Sequence, residues 1–224
     1  MGEMNQTERY AIFIVFLFIY LAMAFFNFFL KSQWLFDNLV ALVFLTFIFI
    51  LSRWLLLGAS GFILFNIALL MHNMGSFGWY EWTWRFLAYD NIVHFVGALV
   101  AAWIIFNFVS AKLHIRDRHH VKQTVVDEHK VILIFLVMAS VAMLGTFVEL
   151  IEFGGFVLLG PGEGMFFTGS GDGSVSADDF TLQYYDTMGD IIVNIIGSVT
   201  GVLFFYFMRY RKMDWVKCGY CHRQ

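Results

Sequence analysis

Charge is scarce in this sequence of 224 residues: Asp, Glu, Lys and Arg make up 14% of it, against roughly 25% in a soluble domain. Proline occurs once, at Pro161, and cysteine twice, at Cys218 and Cys221. Two cysteines close together at one end exclude a disulfide scaffold. A net charge of −3 lacks the basic excess that nucleic-acid binding requires. Low hydrophobicity, the mark of disorder, is missing too. Instead 60% of the residues are hydrophobic and 20% aromatic, far more apolar surface than one water-soluble core can hide. The fold class this predicts is all-α: a polytopic membrane protein.

A helix needs about 20 mostly apolar residues to cross the hydrocarbon layer. Six candidate spans appear: Tyr10 to Leu30, Leu35 to Leu51, Leu55 to Met71, Ile92 to Val109, Val131 to Phe153 and Thr187 to Met208. The second and third are short and separated only by Ser52, Arg53 and Trp54, as a tight helical hairpin or one broken element. The first is too long for a signal-peptide core and no small-residue cleavage site follows it. The expectation is one transmembrane domain over residues 1–208 and a short tail over 209–224.

The basic residues set the orientation. With six spans, Arg9, Arg53, Lys112, Arg116, Arg118, Lys122, Lys130, Arg209, Arg211, Lys212, Lys217 and Arg223 share one side, and Lys31 and Arg85 the other. That asymmetry predicts a multi-pass protein of the cell membrane with both termini cytoplasmic and lipid as its partner.

Ionisable residues inside spans are costly and mark function, and here they gather near the outer face. His72 ends the third span, and Asp90 and His94 open the fourth. Glu149 and Glu152 lie about 28 and 33 Å above Lys130 at 1.5 Å per residue. Asp186, Asp190 and Asn194 descend the sixth span as a stripe at i, i+4 and i+8. Small residues continue the same faces: Gly97 and Ala101 after His94, Gly197 and Gly201 after Asn194, with Gly145 before Glu149. Small residues four apart let helices approach closely in lipid, so these faces are expected to turn inward.

Carboxylates and a histidine crowded in a dehydrated pocket call for a cation among them or for raised carboxyl pKa values. The metal-ligand candidates are His94, Glu149, Glu152, Asp186 and Asp190; the catalytic candidates are Asp90, His94, Glu149 and Asp190. His72, Arg85 and Asn194 are candidates for supporting hydrogen bonds. The expected cofactor is a divalent metal ion, and its bound water is a candidate nucleophile. Plainer roles stand beside these. His72 also suits an interfacial anchor, and Asp90 and Asp186 suit helix N-caps. His94 alone also suits a buried, hydrogen-bonded histidine.

Other features read more simply. Trp79, Tyr80, Trp82 and Trp84 suit an interfacial aromatic belt or a surface-lying helix over the pocket. Glu163, Asp172, Asp178 and Asp179 fall in a Gly- and Ser-rich outer loop that fits no EF-hand. His114, His119, His120 and His129 lie in a basic loop without metal-ligand spacing. Cys218-Gly-Tyr-Cys221-His222 has the form of a haem attachment motif, but a cytoplasmic tail with two residues after it cannot enclose a haem, so no haem is expected.

Three blocks carry a resemblance: Tyr89 to Gly97 with Asp90, His94 and Phe95; Glu149-Leu-Ile-Glu152; and Tyr185 to Gly197 with Asp186, Asp190 and Asn194. They resemble the signature blocks of VanZ-like membrane proteins and, more closely, of the YjdF-like inner-membrane group. The resemblance covers about Met71 to Gly201 and implies a helical membrane protein in which Asp90, His94, Glu149, Asp186 or Asp190, and Asn194 are the shared residues. VanZ-like proteins are associated with low-level glycopeptide resistance. The long acidic loop and the two-cysteine tail depart from that pattern.

Three functions fit the sequence: a metal-assisted membrane enzyme acting on a lipid or lipid-linked substrate, an ion-coupled transporter, and a non-catalytic accessory subunit.

Overall fold

A computed structural model describes residues 4–30, 34–85, 87–116, 130–159 and 180–221. Among these residues there are six α-helices: α1 (Gln6–Phe29), α2 (Leu35–Leu51), α3 (Ala59–Met74), α4 (Tyr89–Arg116), α5 (Lys130–Leu159) and α6 (Phe180–Cys221). Four of them carry stretches long and apolar enough to cross a bilayer: Gln6–Phe29, Tyr89–Ser110, Val131–Gly154 and Tyr184–Phe207. Helices α2 and α3, with 17 and 16 residues, fall short of the usual span.

Helix α1 starts at a capping box in which Asn5 accepts from the Glu8 amide at 2.8 Å and the Glu8 carboxylate accepts from the Asn5 amide at 3.1 Å. The break between α2 and α3 is a turn. The Leu57 amide donates to the Ser52 carbonyl at 2.9 Å and Leu56 takes a left-handed φ of 55°. Helices α1 and α2 run antiparallel. Arg9 at the start of α1 reaches Ser52 at the end of α2, at 3.5 Å, and Asn27 meets Asn38 at the other end.

Helix α4 is the centre of the molecule. One apolar cluster joins Phe16 and Tyr20 of α1, Leu45 of α2 and Phe62 of α3 to Val100 and Ile104 of α4. A second joins Ala98, Ala102 and Phe106 of α4 to Val137 of α5 and Val202 of α6. The outer surface is apolar: Phe18 and Val43 are 68% exposed and Phe135 71%. Exposed apolar area on that scale belongs against lipid.

The small residues divide differently from the expectation. A Cβ on Gly197 would lie 3.0 Å from Ala98, and one on Gly201 3.0 Å from Ala102. Ala98 and Ala102 therefore meet α6. Gly97 and Ala101, one position earlier, are turned by about 100° to a different side and line a cavity.

Between α3 and α4 the chain forms two 3-10 turns, Gly75–Phe77 and Trp79–Glu81, and an antiparallel ribbon of β1 (Thr83–Trp84) and β2 (Leu87–Ala88). No surface-lying helix, one of the two readings of this segment, forms here among the described residues, and Gly78 supplies the positive φ of 83° that separates the two turns. Helices α4 and α6 begin earlier than the sequence suggested. Asp90 is thus the second residue of α4 and Asp186 lies in the second turn of α6, so neither is an N-cap.

Candidate functional site

His94 sits one turn into α4, with Asp90 on the same face four residues before it. The Nε2 atom of His94 lies 3.5 Å from Asp90 Oδ1 and 4.0 Å from Asp190 Oδ2 on α6. The Nδ1 atom, on the other side of the ring, lies 3.3 Å from Glu149 Oε1 on α5 and 3.2 Å from Asn194 Nδ2 on α6. Gly145 makes room for that last contact, because a Cβ there would lie 3.0 Å from the Asn194 amide group. Three helices thus converge on one imidazole. The Glu149 and Asp190 side chains are almost wholly buried, at 2% and 3% exposure.

A neutral imidazole carries one N–H, yet this ring faces carboxylates on both sides. Glu149 Oε1 is buried without a hydrogen-bond partner among the described residues. Two sets of atoms converge to within 4.8 Å: one from Asp90, His94 and Asp190, the other from His94, Glu149 and Glu152. Ligand atoms about 2.1 Å from a cation can be about 4.2 Å apart at most, so either set fits a divalent ion after a small inward movement. One imidazole nitrogen with carboxylate oxygens suits a borderline or hard divalent metal.

Asp90, His94, Asp190 and Asn194 form the polar end of a cavity of about 470 Å³, which Glu152 and Asp186 also line, while Glu149 meets His94 without lining it. Among the described residues, no Lys or Arg lines it. Beyond Asn194 the walls become apolar, down to Ile48, Leu55, Ile104 and Ile105. Helix α4 forms the back wall, α2 and α3 one side, and α5 and α6 the other.

A family model matches residues 9–211, which takes in every residue of this cluster. The chain belongs to that family, described as predicted membrane protein (DUF2238), the YjdF family. No curated protein and no solved structure matches the chain. The family description stops at the membrane.

Around this YjdF-family cluster lie the expected His72 and, with it, Asn27, Asp37, Asn38 and Asn73, which sequence reasoning passed over. His72 lines the same cavity, but its partners are Tyr80 Oη, 2.7 Å from Nδ1, and Asp37, 3.9 Å from Nε2. With the ring neutral and Nε2–H turned to the Asp37 carboxylate, Nδ1 accepts from the Tyr80 hydroxyl. One residue further along both helices runs a chain of amides. Asn27 Nδ2 donates to Asn38 Oδ1 at 2.6 Å, Asn38 Nδ2 to Asn73 Oδ1 at 2.8 Å, and Asn73 Nδ2 to the Leu69 carbonyl at 2.9 Å. The available signal was a pair of polar dipeptides, Asp37-Asn38 in the first turn of α2 and His72-Asn73 in the last turn of α3. Tyr80 is held between the rings of Trp34 and Tyr89 and closes the polar end.

Arg85 is not brought to the cluster. It is exposed, with a left-handed φ of 58°, and its guanidinium lies 5.5 Å from the Trp84 ring centre. A two-residue hairpin loop demands such a φ. His119, His120, His129, Glu163, Asp172, Asp178, Asp179 and His222 lie outside the described residues, as do the side chains of His114, Cys218 and Cys221.

Proposed function

We propose that this chain is a metal-assisted membrane enzyme that acts on a lipid or lipid-linked substrate at the extracytoplasmic face. The observation that carries the reading is the double facing of His94. Its two nitrogens meet carboxylates from three helices, at the end of a cavity that no Lys or Arg lines among the described residues. Buried carboxylates without counter-charge are costly, and a divalent cation supplies that charge.

When bound, such an ion supplies Lewis acidity and an acidified water. The protein's own groups do the rest. Asp90 and Asp190 stand ready to accept from Nε2 and hold the ring. Asn194 fixes its tilt. Glu152 at the cavity end and Glu149 beside His94 Nδ1 serve as ligands or proton acceptors. The apolar walls exclude water from the remainder. The three blocks that resemble VanZ-like proteins coincide with these residues, which supports kinship at the site.

The orientation follows the basic residues. Arg9 meets Ser52, and Lys112 lies 5.9 Å from the Trp54 ring centre, so these cations share the end opposite His94. That supports cytoplasmic termini and six crossings. An ion-coupled carrier would need polar groups along the lower cavity, where Ile48, Leu55, Ile104 and Ile105 stand instead.

Elemental analysis of purified protein tests the enzyme reading at its base. Wild type is expected to hold about one divalent ion per chain, and Glu149→Gln at least tenfold less. Equal contents near zero would overturn the assignment.

A further inference from the structure

Gly97 behaves unlike the tightly packed glycines of α6. A Cβ built on it meets nothing within 4 Å, whereas one on Gly197 would lie 2.6 Å from a backbone oxygen. The missing side chain at 97 therefore serves the width of the cavity and not helix contact. Ala101, one turn on, lines the same wall.

The cavity follows α4 from Asp90 to Ile105. Fifteen residues at 1.5 Å each give a length of about 22 Å. Spread over that length, the 470 Å³ open to the centre of a water-sized sphere is a column about 5 Å across, and the sphere's own radius of about 1.4 Å widens the passage between the walls to about 8 Å. Carbon atoms in contact lie about 3.5–4.0 Å apart, so the passage has room for a hydrocarbon chain along its length. Its two ends differ in chemistry: carboxylates and imidazoles at one, aliphatic side chains at the other. Leu69 of α3 and Leu144 of α5 are among the apolar side chains along it.

We infer that the cavity holds an amphiphile with a hydrocarbon chain lying along Gly97 and Ala101 and an anionic oxygen head group at the His94 end. The head-group half rests on the metal reading above, because an anion among carboxylates needs the cation between them. The chain half rests on shape alone. Two sources share this chemistry: a single-chain lipid, and a two-chain lipid whose other chain stays in the bilayer.

Photolabelling of the full chain in lipid nanodiscs tests this. The probes are hexadecyl phosphate with a diazirine at the chain end, and a phosphatidic acid with the same diazirine on one chain. The expected result is label on cavity-lining positions such as Ile104, Ile105 and Val141, reduced at least tenfold in Gly97→Leu. Thermal midpoint and metal content, at wild-type values, show that the variant is folded. Label from both probes points to a membrane phospholipid and label from the first alone to a single-chain lipid; each supports the inference. Label confined to outward residues such as Phe18 and Phe135, or unchanged in Gly97→Leu, overturns it. Deep labelling of a metal-free wild type would sink the metal reading and the head-group half while the chain half stands. Metal with only outward labelling would do the reverse.

Discussion

Gly197 of α6 lies so close to Phe95 of α4 that a methyl group on it would sit 2.6 Å from the Phe95 carbonyl oxygen. His94 and Asn194 adjoin this contact, one residue before Phe95 and three before Gly197. The packing of two backbones therefore sets the height at which the imidazole meets the amide. Overpacking a close contact costs about 1–3 kcal/mol. Gly197→Ala should lower the thermal midpoint in detergent and the metal content together. Gly97→Ala should do neither. Its Cβ enters open space, and Ala is favoured over Gly in a helix by about 1 kcal/mol.

The Asn27–Asn38–Asn73 chain links three helices at the level of the site. Hydrogen bonds between helices in a bilayer average about 0.6 kcal/mol and reach about 1.7, because the unfolded chain in the membrane also finds partners. Asn38→Leu removes two such bonds while filling a similar volume. The expected loss is about 1 kcal/mol, seen in a denaturation series in detergent. A loss several times larger would mean that the amides position α2 and α3 against α4 and do not merely tie them.

Tyr80 lies in the loop outside the spans. Burial, reinforced by the carboxylates of Asp90 and Glu152, holds its phenol well above the ordinary 10.0. Above pH 10 the unfolded state releases this proton while the folded state keeps it. Stability therefore falls as pH rises, by about 1.4 kcal/mol per unit until the folded value is passed. Below pH 10 the group contributes no slope. Tyr80→Phe keeps the ring contacts and removes the slope. Thermal midpoints of the two proteins between pH 9 and 11 should diverge as pH rises, with the variant falling less.

The helices and the cluster around His94 were legible because lipid imposes simple rules. Apolar runs of sufficient length stand out, and a carboxylate inside one, such as Glu149 or Asp190, has no solvent to explain it. The polar residues of α2 and α3 were harder. Asp37 and Asn38 lie in the first turn of α2, where acids are common for local reasons, and only tertiary packing sets them beside His72 and Asn73. Facing was harder still. Gly97 and Ala98 are both small and both line the cavity, yet Ala98 also receives Gly197 while a Cβ on Gly97 would meet nothing, because adjacent helical residues point about 100° apart. Arg85 was misleading for a related reason: the ribbon turn fixes its backbone and carries it away from the acids.

A metal centre and a structural lock make opposite predictions at Glu149. Its Oε1 atom is buried without a hydrogen-bond partner among the described residues, and such an orphaned acceptor costs about 1–3 kcal/mol. His94 keeps Asn194 beside Nδ1 when the carboxylate is removed. In chelator-treated protein Glu149→Met should therefore be more stable than wild type by about that amount. Adding the cognate divalent ion at 100 times its dissociation constant should stabilise wild type by about 2.7 kcal/mol and leave the variant unchanged. The order of the two thermal midpoints would level or reverse on addition of metal. If Glu149 only locked helices together, the variant would be the less stable protein in both conditions, and the ion would move neither midpoint.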